Sequence, residues 1–110
     1  MNKILSQLEQ YTLLNGEEIA RSMAADFRCR RIEKNLTREQ IAEKSGVAVS
    51  NIVRFEQKGL ISLKHLIGIA MALGYTHELK SVFSEPKYST MEELTQIRKN
   101  KGKTRAYRQL

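Results

Sequence analysis

The sequence predicts an all-α fold, and three observations lead there. Leu, Ile, Ala, Glu, Lys and Arg dominate while Val is scarce, a composition that favours helix over sheet. Apolar residues recur at helical spacing in several segments, and most of those segments open at Ser, Thr or Asn or close at Gly. A single proline, Pro86, interrupts the 110 residues and divides a longer body from a short tail.

Taken in order, residues 3–13 read as a short amphipathic helix with Ile4, Leu8 and Tyr11 on one side, punctuated by Asn15-Gly16. A longer helix runs from about Glu17 to Lys34. In it Ile19, Met23 and Phe27 recur at four-residue steps, Ala20 and Ala24 permit close approach, and Arg21, Arg28 and Arg31 lie opposite. Thr37 opens the next helix with Gln40 three residues on, the capping-box arrangement. Ile41 and Ala42 face inward, and Gly46 stops that helix in the left-handed conformation glycine adopts freely. The following helix starts near Ala48 or Ser50, buries Ile52 and Phe55, and ends at Lys58-Gly59. Ser62 caps a helix whose Leu63, Leu66, Ile67, Ala70 and Leu73 form a broad apolar face closed by Gly74. A last one, about Thr76 to Phe83, offers Leu79, Val82 and Phe83. This divides the chain into an N-terminal extension (1–16), a helical domain (17–83), and a linker with a basic tail (84–110).

With 41% apolar residues, three Phe, four Tyr and no Trp, one core is the expectation. The formal charge of +7 points to nucleic acid or another anionic partner and says nothing of fold. Its distribution is uneven: residues 84–110 hold seven Lys and Arg against three Glu, more than half of the excess. One cysteine, Cys29, excludes an internal disulfide framework and a thiolate cluster for zinc, and is expected to be buried or half-buried. His65 and His77 have no Cys, Asp or Glu arranged with them as a metal-ligand set. No Gly-rich phosphate loop and no nucleophile with a positioned base is present, so neither a catalytic residue nor a cofactor is expected. The run of about 18 apolar residues that a membrane span needs is missing, and a cytoplasmic protein is expected.

Two helices of about ten residues joined by a three- or four-residue turn containing glycine make a helix-turn-helix; the spacing alone also fits a generic helical bundle. The stretch Leu36-Thr37-Arg38-Glu39-Gln40-Ile41-Ala42-Glu43-Lys44-Ser45-Gly46-Val47-Ala48-Val49-Ser50-Asn51-Ile52-Val53-Arg54-Phe55-Glu56 decides between them. It resembles the helix-turn-helix of the XRE family, regulators of the lambda repressor and Cro type, and the resemblance extends over about residues 17–83. It implies a compact five-helix lambda-repressor-like domain in which Ala42 sits at the helix crossing and Gly46 makes the turn. Val47 and Ile52 then fill the space between the helices, and Glu56 pairs within the domain with Arg31. It further implies sequence-specific binding of double-stranded DNA, as a dimer on paired half-sites, by a repressor of its own operon.

On this resemblance Val49, Ser50, Asn51 and Arg54 approach base edges in the major groove. Arg54 can reach guanine bidentately, and Asn51 can serve adenine or a phosphate. Arg38 stands near a helix amino end that favours phosphate, and Lys58 and Lys64 border the next loop as backbone contacts. Val49 departs from the family's frequent long polar residue; it can touch only a thymine methyl or a sugar, which shifts the readout toward Arg54 and DNA shape. Ile69 and Met71 either close the core or form a dimer seam. The Glu-Pro linker, the Ser/Thr-capped acidic helix start at about Met91 and the basic end (Arg98, Lys99, Lys101, Lys103, Arg105, Arg108) are similar to HipB-like antitoxins, which pair with HipA-like kinase toxins. A DNA arm, a toxin grip and a solubilising tail all remain open for that end. So does a protein-interaction module that uses the fold without DNA.

Overall fold

The computed structural model describes residues 15–106; the helix expected over residues 3–13, and Arg108 in the tail, lie outside them. The chain divides into two units between Leu79 and Lys80. The first contains α1 (Gly16–Glu33), α2 (Arg38–Ser45), α3 (Val49–Lys58), α4 (Leu63–Ala72) and all but the last residue of α5 (Thr76–Lys80). This is the expected five-helix arrangement, with no strand among the described residues.

Local chemistry sets the helix ends. Asn15 caps α1, its side chain accepting from the Glu18 N–H at 2.8 Å, while Glu17 and Glu18 complement the positive end of the helix dipole. At α2 the capping box closes both ways: the Gln40 N–H donates to Thr37 Oγ1 (3.0 Å) and the Thr37 N–H to Gln40 Oε1 (2.8 Å). The Ser62 hydroxyl accepts from the His65 N–H at 3.2 Å and opens α4. Lys34 Nζ donates to the Leu73 carbonyl at 2.6 Å, a cation on an unsatisfied carbonyl at the end of α4.

The core gathers Ala24 and Phe27 from α1, Ile41 from α2, Val47 from the turn, Ile52 and Phe55 from α3, and Ile69 and Leu73 at α4. Ile41, Ile52 and Ile69 are wholly buried, each burial contributing about 1.5–3 kcal/mol. Phe27 and Phe55 meet edge to face, ring centres 5.6 Å apart at 65°, and join α1 to α3. Through this core α1 packs on α3, and α2 packs on α3 and α4.

Several expected inward positions face outward instead. Ile19 and Met23 are exposed, while Ala24, Phe27 and Arg31 are the buried residues of α1. A four-residue step advances about 400°, so a strict row of such steps drifts around the helix. The 24-27-31 line alternates three and four and stays on one side. In α4 Leu63 and Ile67 are exposed and Ile69 is buried, so of Ile69 and Met71 the first belongs to the core and the second lies outside it. Cys29 is exposed, on the side of α1 away from Ala24 and Phe27. The last helix of the unit stops at Lys80; a turn follows, in which the Ser84 N–H and Oγ both donate to the Ser81 carbonyl (3.1 and 3.0 Å), and Val82 and Phe83 are exposed.

The second unit contains α6 (Met91–Asn100). Thr90 caps it, accepting from the Glu93 N–H at 3.1 Å, and the Glu93 carboxylate returns to the Ser89 N–H and hydroxyl, each at 3.1 Å. Glu92 and Glu93 lie in its first turn and Arg98 and Lys99 in its last, matching both ends of the helix dipole.

Candidate nucleic-acid interface

The turn between α2 and α3 begins at Gly46, with φ 73° and its N–H on the Ala42 carbonyl at 2.8 Å. Nothing lies within 4 Å of where a Cβ would stand, so the backbone conformation alone selects glycine here. Val47 then turns into the core, its N–H held by Ser45 Oγ at 3.1 Å. Ala48 takes the N-cap position of α3 without a side-chain cap. The amino end of α3 therefore carries N–H groups that no side chain satisfies.

From that end α3 divides cleanly. Ile52 and Phe55 are buried, while Ser50, Arg54 and Lys58, at four-residue steps, are exposed; Val49 and Asn51 are half-buried beside them. The side chains of Arg54, Lys58 and Lys64 make no hydrogen bond or ion pair among the described residues. A cation with no internal partner on the outer side of a helix whose inner side is locked in the core is available to a ligand.

Arg38 is placed differently. Its Nε donates to Glu56 Oε1 at 3.0 Å, and its side chain is about one-third exposed. The same carboxylate receives Arg31 through Nε (2.7 Å) and Nη2 (3.0 Å), while Arg31 Nη1 donates to the Leu36 carbonyl at 2.9 Å. The expected Arg31–Glu56 pair is thus present, with Arg38 as a second arginine on it. Burial would raise the Glu56 pKa, but the hydrogen bonds and charges of Arg31 and Arg38 outweigh it and hold the carboxyl below its ordinary value. The cluster fixes Arg38 at the start of α2, and its two Nη atoms make no hydrogen bond among the described residues.

Arg28, to which the sequence pattern assigned no site role, borders the same place. It is exposed, and with Arg31, Thr37 and Arg38 it lines a shallow recess of about 410 Å³ at the amino end of α2. Its signal was the three-residue spacing from Arg31, which puts both on one side of α1. Among the described residues no three His, Cys, Asp or Glu come together to hold a metal ion, and no helix is long and apolar enough to cross a membrane.

α2 and α3, joined by the turn at Gly46, make a helix-turn-helix. Residues 28–80 match the family model described as helix-turn-helix, a stretch that holds α2, the turn, α3 and α4 entire. No curated protein matches the chain.

Proposed function

We propose that the chain represses its own operon as a dimer, reading paired half-sites with α3 in the major groove. The observation that carries this is Arg54, exposed and unpartnered on the outer side of α3 beside Ser50 and Asn51. In that pose Arg54 addresses a guanine edge, Ser50 and Asn51 the neighbouring bases or phosphate, and Val49 a thymine methyl. Arg38, held by Glu56, and Arg28 beside it take the backbone on one flank; Lys58 and Lys64 take it on the other. The uncapped amino end of α3 adds donors that favour phosphate.

The dimer is supported by an apolar row on α4. Leu63, Ile67 and Met71, again at four-residue steps, are exposed together with Leu60, and exposed apolar residues grouped on one element are of the kind that marks a protein contact. A HipB-like role, with a HipA-like kinase as the partner, draws support from the second unit, where Phe83, Tyr88 and Met91 expose apolar surface around a well-capped helix.

The test is fluorescence anisotropy at one fixed salt concentration, on the duplex upstream of the chain's own gene and on a scrambled duplex of equal composition. The upstream duplex should bind at least tenfold tighter. Arg54→Ala should remove about 1–3 kcal/mol on it and much less on the scrambled one. Absence of binding to either duplex would favour an interaction module that uses the fold without DNA.

A further inference from the structure

We propose that the first unit binds a small amphipathic organic cation, an amine on an apolar body, in a groove lined mainly by α1, α4 and α5. The groove has a volume of about 390 Å³, within the roughly 300–1,000 Å³ of small-molecule pockets. Its apolar lining is Met23 and Phe27 of α1, Phe55 of α3, Leu66 of α4, and Leu73 and Leu79 beyond it. Phe27, Phe55 and Leu73 are buried, so the floor is fixed by the core, whereas Met23 is 43% exposed and Leu66 and Leu79 are half-buried. An apolar body seated there takes the exposed part of this lining out of water, a gain that grows with the area covered.

The polar lining selects the charge of the occupant. It consists of Asp26, Arg30, Tyr75 and Glu78, all exposed. Arg30 is already neutralised, its Nε and Nη2 holding the two oxygens of Glu33 at 2.8 and 3.0 Å. The side chain of Asp26 makes no hydrogen bond or ion pair among the described residues, and Glu78 adds a second carboxylate. The local balance is therefore negative, on a chain whose formal charge is +7. A ligand ammonium gains Asp26 as a partner, whereas a ligand carboxylate would stand beside like charge. The ring of Tyr75, 37% exposed, adds an aromatic face of the kind that attracts cations. The same sign makes DNA a poor occupant, so the groove is a site apart from Ser50, Arg54 and Lys58. The two are still linked through one helix: Phe55 is on the buried side of α3 and its neighbour Arg54 on the exposed side.

The full-length chain is titrated with three probes that share one body: phenylbutylamine, phenylbutanol and phenylbutyrate. Salt at about 0.15 M shortens the Debye length to about 8 Å, so the overall positive charge of the chain does not decide the ranking. Amide proton–nitrogen spectra report the site and the affinity together. The amine should shift the amides of Asp26, Phe27, Leu66 and Leu79 and bind about two- to fivefold tighter than the alcohol, the range of an exposed ion pair. The carboxylate should bind weakest. Asp26→Asn, at an exposed position of α1, should bring the amine down to the affinity of the alcohol and leave the alcohol unchanged. No shift at those amides with any probe would mean that a second copy covers the groove or that it takes no ligand, and would overturn the proposal. A ranking in which the amine does not lead, or a lead that survives Asp26→Asn, would overturn it as well.

Discussion

Arg31 and Glu56 are 25 residues apart in sequence and meet through two hydrogen bonds of 2.7 and 3.0 Å. Their side chains are only 10% and 1% exposed. The pair ties the end of α1 to the end of α3, and the third arginine nitrogen, on the Leu36 carbonyl, brings in the connection to α2. A buried pair of this kind holds three segments in one arrangement, and α3 presents Arg54 from that arrangement. The net worth of such a pair against an apolar replacement is small, but removing one partner alone strands the other.

Exposure separates the two arginines on Glu56. Arg31→Ala should cost about 3–5 kcal/mol, because it leaves a buried carboxylate without its main partner. Arg38, about one-third exposed, should cost about 1 kcal/mol or less. Urea unfolding of the two variants checks the order. Arg38→Ala should also weaken binding to any duplex while the fold persists, a loss that the small stability change cannot explain. Equal destabilisation by both substitutions would show that Glu56 depends on them equally.

The same cluster sets an acid limit. The Glu56 carboxyl is held below its ordinary value of 4.5, so in mild acid the unfolded chain binds the proton and the native one does not. Stability from this group is therefore fully present above the ordinary value. It is lost as pH falls below that and through the lowered native value. Glu56→Gln should be less stable than the parent at pH 7, and the difference should narrow steadily toward pH 3. A constant difference across that range would mean that the amide is costly for its packing and that ionisation of Glu56 contributes nothing.

Much of this was legible in the sequence, and the exceptions have physical causes. Thr37 with Gln40 and the left-handed Gly46 are local devices, set by residues within one turn, and both stand as read. The Arg31–Glu56 pair spans 25 residues and was accessible only through the family resemblance. Tertiary placement of apolar rows was less legible. Ile19, Met23, Leu63 and Ile67 have the right chemistry for a core, but which side of a helix is covered depends on where its neighbours cross. The second arginine on Glu56 was hidden for a related reason. Arg38 looks like a surface cation in sequence, and only the approach of α3 to the start of α2 brings it to the carboxylate.

Gly59 offers a sharper test of packing than Gly46. Both have positive φ, 69° and 73°, but a Cβ at Gly59 would stand 3.0 Å from the Arg21 nitrogen and 3.1 Å from the Ala20 carbonyl carbon, both backbone atoms. Gly46→Ala should therefore cost about 1–2 kcal/mol for the left-handed backbone alone. Gly59→Ala should add about 1–3 kcal/mol of overpacking, since helix backbone cannot yield as a side chain does. The urea midpoints of the two variants decide it. If Gly59→Ala is no worse than Gly46→Ala, the chain after α3 has room to move away from α1.

The basic tail separates three roles by the salt dependence of binding. Arg98 and Lys99 end α6 and Lys101, Lys103 and Arg105 follow it, all exposed. Cations so crowded stay hydrated or meet an anion, because burying them unpaired costs too much. If they lie along DNA phosphates, deleting residues 98–110 should weaken binding to upstream and scrambled duplexes alike. It should also reduce the slope of log affinity against log salt by about 0.9 for each phosphate no longer neutralised. Arg54→Ala should leave that slope nearly unchanged if its contact is to a base edge, so the two variants move different observables. If the tail instead grips a protein partner or only maintains solubility, the shortened chain should bind the upstream duplex with the parent's affinity and slope. A salt titration of parent, Arg54→Ala and shortened chains on both duplexes distinguishes these outcomes. We expect the DNA result, since the end of the tail is the densest run of positive charge in the sequence and phosphate is the partner that rewards such a run at every position.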